Sequence, residues 1–124
     1  MKQEVNSLTI NGVEYIKKDS ERSGLAVNTA GLLYVIIRTY SAGVHAGYLK
    51  SHNGKECELL SARRLWYWAG AASLSQLAME GVSRPEECKF PVEVQSITLT
   101  EVIEIISCTE KARLSIAGVS IWKS

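Results

Sequence analysis

The chain has 124 residues, 46% of them apolar and 22% charged, which is the composition of a single folded domain (residues 1–124) and excludes long disorder. A formal net charge of +1 lacks the basic excess that phosphate neutralisation demands, so extended nucleic acid ranks behind small ligands and proteins as a partner. Three widely spaced cysteines, Cys57, Cys88 and Cys108, give no Cys-x-x-Cys pair or disulfide framework and predict reduced thiols.

The opening segment, MKQEVNSLTING, carries no apolar run of the signal-peptide kind. No stretch approaches the roughly 20 apolar residues that span a bilayer, so a cytoplasmic protein without a membrane partner is expected. In residues 7–16, Asn11-Gly12 separates two β-branched runs and predicts a short hairpin, because Asn-Gly accepts the positive φ of a type I′ turn. The charged run KKDSERSG follows, and residues 17–31 read as a flexible or irregular link. LLYVIIRTY (32–40) is the clearest strand. Leu33, Val35 and Ile37 share one face, and Tyr34, Ile36, Arg38 and Tyr40 share the other, so the strand belongs near the sheet centre.

SAG (41–43) turns the chain, VHAGYLKS (44–51) returns, HNGK (52–55) carries a second Asn-Gly, and ECELL (56–60) is the next strand. Three strands on short turns make an antiparallel meander. Ser73 and Gln76 then have the spacing of a capping box, ahead of a helix of about two turns that Gly81 can close. VSRPEECKFP (82–91) reads as an ordered loop. VEVQSITLTEVIEIIS (92–107) reads as strand, bulge near Gln95-Ser96, then more strand, with TEVIEII open to a helical reading. Thr109 can cap a final helix that Gly118 ends, and VSIWK is read as a short closing strand. The fold class is therefore α+β: a mainly antiparallel sheet, built from the N-terminal hairpin and the meander, with one or two short helices. Barrel-like closure of the same strands is left open.

Catalytic and metal-binding patterns are weak. His52 sits in a turn, His45 has no carboxylate within a few positions, and a Cys57–His45 pair would need adjacent-strand geometry. Two histidines and three scattered cysteines reproduce no zinc spacing, Glu101 and Glu104 read as solvent-facing, and the glycines of SAGVHAG form neither a dinucleotide fingerprint nor a P-loop. No catalytic residue, metal or cofactor is expected. The remaining polar and aromatic inventory is Arg38, Tyr40, Ser41, His45, Arg63, Arg64 and Trp66, with Tyr67 and Trp68 beside it. Arginine forks match phosphate oxygens, and indole and phenol faces stack on bases at on the order of 1–3 kcal/mol each. Together they suit a flat, anionic, nucleotide-like ligand. LWYW could equally pack a core between sheet and helix, with its arginines exposed or paired.

Across roughly residues 33–123, the blocks RTYSAGVHAG, ARRLWYWAGAASLSQLA and CTEKA with the closing SIWK resemble a family of small bacteriophage and prophage proteins known as a domain of unknown function. In size, setting and arginine–aromatic inventory the chain is also similar to phage anti-defence sponges of the first Thoeris anti-defence type. That resemblance implies a non-enzymatic homo-oligomer in the host cytoplasm that sequesters a cyclic ADP-ribose isomer or a cyclic oligonucleotide between subunits. No sponge residue is carried over by position, so the site above rests on physical reasoning. The alternative is a phage protein–protein module docking on a host protein; a nucleotide-modifying enzyme and a nucleic-acid-binding regulator rank below both.

Overall fold

A computed structural model of the protein describes residues 24–123. The hairpin expected at 7–16 lies outside them, as does residues 17–23 of the link. The fold is α+β: a five-stranded antiparallel sheet with two short helices. Its elements are β1 (Tyr34–Thr39), β2 (Val44–Asn53), β3 (Glu56–Arg64), α1 (Leu74–Glu80), a 3₁₀ turn (Pro85–Glu87), β4 (Val94–Leu99), β5 (Val102–Ser107) and α2 (Glu110–Ala117).

The meander forms as the alternation and turns dictate. β1 pairs with β2 (Ile37 opposite His45), and β2 pairs with β3 (Asn53 opposite Glu56), so Gly54 and Lys55 make the second turn. β1 is an interior strand, paired with β2 on one side and with β5 on the other, while β2 is the central strand of the sheet. β4 and β5 depart from the single bulged run expected over 92–107. They lie on opposite edges of the sheet, in the order β4-β3-β2-β1-β5. Only Thr100 and Glu101 separate them, and TEVIEII is a strand from Val102 onward. Three chain steps reach at most about 11 Å, whereas a flat sheet of five strands is about 19 Å wide. The sheet must therefore curl until its edges approach, and the Val102 amide does donate to Lys55 O at the β2–β3 turn, at 2.9 Å.

Curling makes two cores. Val35, Ile37, Cys57, Leu59, Ala62 and Leu99 fill the inside of the curl. Tyr34, Ile36, Ala46, Leu77, Phe90 and Ile116 belong to the core between the outer face and the helices. Each fully buried aliphatic side chain among them contributes roughly 1.5–3 kcal/mol. Leu59 and Ala62 both face inward although three positions apart, because a bulge opposite Gly47 places Ser61 at φ 51° and resets the alternation. Gly47 suits that bulge: a Cβ there would stand 3.0 Å from Leu60 O and 3.1 Å from Ala62 Cα.

Ser73 caps α1 by accepting from the Gln76 amide at 3.2 Å; Gln76 returns its bond to the Ala72 amide rather than to Ser73. Thr109 caps α2 through the Ala112 amide (3.0 Å) and donates its hydroxyl to Met79 O (2.7 Å), tying the helices together. The closing VSIWK makes one isolated parallel bridge, Ile121 to Phe90, not the strand expected from its alternation. In the link, Ala26 is fully buried and its amide donates to Cys108 O at 2.9 Å.

Candidate functional site

Adjacent residues on a strand face opposite ways, so Arg63 and Arg64 cannot share a site. The bulge at Ser61 decides between them. Arg63 turns into the helix-side core and is only 4% exposed. Its guanidinium donates to Pro91 O (3.0 Å), Ile116 O (2.9 Å) and Phe90 O (3.1 Å) and lies over the Phe90 ring. Expected among the phosphate-holding groups, Arg63 is instead taken up by main-chain carbonyls: Pro91 O, and Ile116 O and Phe90 O, which also accept from the Val119 and Trp122 amides. Arg64 points out at the end of β3. Among the described residues it is the one arginine with no carboxylate or carbonyl partner.

Arg64 meets the aromatic segment at a cleft of about 500 Å³ lined by Ser41, Gly43, Val44, Arg64, Trp66 and Trp68. The β1–β2 turn forms one wall. Thr39 holds that turn shut, donating its hydroxyl to Gly43 O at 2.7 Å and accepting from the Ala42 amide at 2.9 Å. Gly43 has φ 86°, which the small-residue turn requires. Trp66 is 65% exposed, so the indole is not core filling. Its ring stacks on Trp122, with centroids 6.5 Å apart and planes 9° apart. Lys89 holds its ammonium 5.9 Å from the Tyr67 ring and 5.7 Å from the Trp122 ring. These are cation–π distances and add positive charge beside the aromatic row.

Of the expected residues, Ser41, Arg64 and Trp66 come together in this cleft. Ser41 also donates its hydroxyl to Glu101. His45 lies behind the cleft, 1% exposed, with Nε2 donating to Ala42 O at 3.0 Å. Burial, and to a smaller degree the Arg64 charge, hold its pKa below the ordinary value. Arg38 and Tyr40 are elsewhere. Arg38 is ion-paired with Glu104 on β5, and Tyr40 lines a separate hollow with Lys55 and Glu101. Cys57 sits opposite His52, so it makes no pair with His45, and burial pushes its thiol up. All three cysteines are free and buried.

Trp122 and Lys89 were not signalled by spacing: Trp122 reaches Trp66 through the Phe90–Ile121 bridge, a long-range contact. Trp68 carried its signal in the LWYW run. Chemically, the cleft offers one unpaired guanidinium, flat indole faces and a hydroxyl. Among the described residues, no three His, Cys, Asp or Glu side chains cluster as metal ligands, and no helix is long and apolar enough to cross a membrane.

Residues 32–116 match the family model described as a domain of unknown function, DUF6948. No curated protein and no solved structure gives a significant match.

Proposed function

We propose that this chain, which belongs to the DUF6948 family of domains of unknown function, is a non-enzymatic binding protein that captures a flat, anionic, nucleotide-like molecule in the Ser41–Arg64–Trp66 cleft. The observation that carries the reading is the convergence of an unpaired arginine with the exposed Trp66 indole at one cleft. Arg64 would fork onto a phosphate and Trp66 or Trp68 would stack on a base. Ser41 would turn its hydroxyl from Glu101 to ribose or phosphate.

The finer part of the proposal follows the phage resemblance: an anti-defence sponge in the host cytoplasm, holding a cyclic ADP-ribose isomer or a cyclic oligonucleotide without cleaving it. Sequestering a scarce signal needs roughly nanomolar affinity, about −12 kcal/mol. One guanidinium and one exposed stack fall short of that. A second subunit closing over Trp66 would supply further cations and exclude water, so the proposal includes a homo-oligomer. The test is calorimetry with cyclic ADP-ribose isomers and cyclic di- and trinucleotides. Tight binding of one of them, with ligand returned intact on denaturation, supports the reading; no tight binding to any removes it.

A second reading rests on a different observation. Trp66, Tyr67, Ile121 and Trp122 are all exposed, a larger run of apolar surface than isolated surface residues give. That surface would suit a protein partner. Stable capture of one host protein by the wild-type chain, lost in Trp122→Ala and indifferent to added nucleotide, would favour it.

A further inference from the structure

The curl of the sheet leaves a hollow at the end where β2 begins and β3 finishes. It has a volume of about 240 Å³ and is separate from the aromatic cleft except that Arg64 lines both. Ala62, Val92, Val94 and Ile97 give it apolar walls, and its polar side chains are His45 and Arg64. These two are directly opposed across β2 and β3, so their Cβ atoms stand roughly 5 Å apart. The Ala42 carbonyl can only accept, so His45 Nε2 carries its proton. In the neutral ring Nδ1 is then a bare acceptor, in a side chain 1% exposed, and no described residue donates to it.

A buried acceptor without a donor is costly, and an unpaired guanidinium beside it asks for an anion. One small molecule can meet both needs if its anion and a hydroxyl sit on neighbouring carbons. The volume is below the roughly 300–1,000 Å³ of sites for drug-sized ligands, which excludes a nucleotide. A carboxylate matches a single planar fork, whereas a phosphate dianion would want more donors than the hollow has. An ammonium in place of the hydroxyl would face the Arg64 charge. We propose that this mouth of the curled sheet is a second binding site, for a small aliphatic α-hydroxy acid: carboxylate on Arg64, hydroxyl donating to His45 Nδ1, and a branched tail among Ala62, Val94 and Ile97.

The probe is α-hydroxyisocaproate, titrated into the full chain and followed by nitrogen–proton correlation NMR. Saturable shifts are expected at the Ala62, Arg64, Val94 and Ile97 amides and at the His45 ring. Isocaproate, which lacks the hydroxyl, should bind about tenfold more weakly, and Arg64→Gln should weaken α-hydroxyisocaproate about tenfold or more. Arg64 is exposed, so that variant folds, and the isocaproate arm needs no variant. Absent shifts, equal binding of the two acids, or undiminished binding by Arg64→Gln would each overturn the site. Trp66→Ala separates this proposal from the nucleotide reading: it should leave the α-hydroxyisocaproate titration unchanged while removing any nucleotide response. A chain that binds the hydroxy acid and no nucleotide would sink only the nucleotide reading.

Discussion

Arg63 and Arg64 are chemically identical neighbours with opposite work. Arg63 closes three carbonyls inside the molecule, and Arg64 makes no contact of that kind. Arg63→Ala should therefore cost roughly 3 kcal/mol or more, because it removes three hydrogen bonds from a charged donor, each worth roughly 1.5–3 kcal/mol, and leaves Pro91 O without a donor among the described residues. Arg64→Ala should stay within roughly 0.5 kcal/mol of wild type, as exposed substitutions do. Urea unfolding of both variants checks the pair, and equal costs would contradict this assignment of roles. His45 gives a pH signature. Burial lowers its folded pKa, so the unfolded chain takes up a proton near 6.5 while the folded ring does not. Stability contributed by the neutral ring is thus full above that pH and is lost as the pH falls below it. The slope is at most about 1.4 kcal/mol per pH unit and ends where the folded ring titrates. The difference in stability between wild type and His45→Gln should shrink between pH 7 and pH 5; a constant difference would contradict the burial argument. At this scale the sequence showed Arg38 sharing a strand face with Tyr34 and Ile36, but not its ion pair with Glu104. It could not tell Arg63 from Arg64, since the phase of β3 depends on a one-residue bulge.

Among the elements, the meander and both helix starts were legible because their signals are local: turn glycines, alternation, Ser73 and Thr109 as caps. The placement of β4 and β5 was not. Consecutive strands usually lie side by side, and a two-residue link normally means a hairpin. Here the short link instead crosses the open side of the curl, a choice made by the Leu99–Cys57 and Val102–Thr39 pairings on distant strands. The closing SIWK alternates like a strand but follows Gly118 along the α2 end, where, among the described residues, its backbone pairs with Phe90 alone. Gly81 shows how tightly the helices dock. It has φ 79°, and a Cβ there would stand 2.4 Å from Ser115 Cβ on α2. Both the left-handed backbone and the clash oppose a side chain, so Gly81→Ala should lose roughly 2 kcal/mol or more. A denaturation midpoint equal to wild type would mean that α1 and α2 are not packed as described.

For the whole molecule, a tightly curled five-stranded sheet presents one turn, one strand end and one aromatic segment at a common cleft. The aromatic half of that cleft was legible in ARRLWYW, though not the exposure of Trp66, because the same residues could have filled a core. The stack with Trp122 was invisible, since it joins the two ends of a long chain excursion through a single bridge. Tyr40 and Arg38 looked like neighbours of Ser41 in sequence, but strand alternation and the Glu104 ion pair carry them to other surfaces. The central claim is that the cleft binds a nucleotide-like anion through Arg64 and Trp66 and leaves it intact. The most direct measurement is tryptophan fluorescence on titration with cyclic ADP-ribose isomers and cyclic oligonucleotides, for wild type, Arg64→Gln and Trp66→Ala, with the ligand recovered afterwards by mass spectrometry. The account predicts saturable quenching by one ligand, at least about tenfold weaker in Arg64→Gln and absent in Trp66→Ala, with the ligand unchanged. Quenching that survives both substitutions, or a ligand returned cleaved, would contradict it.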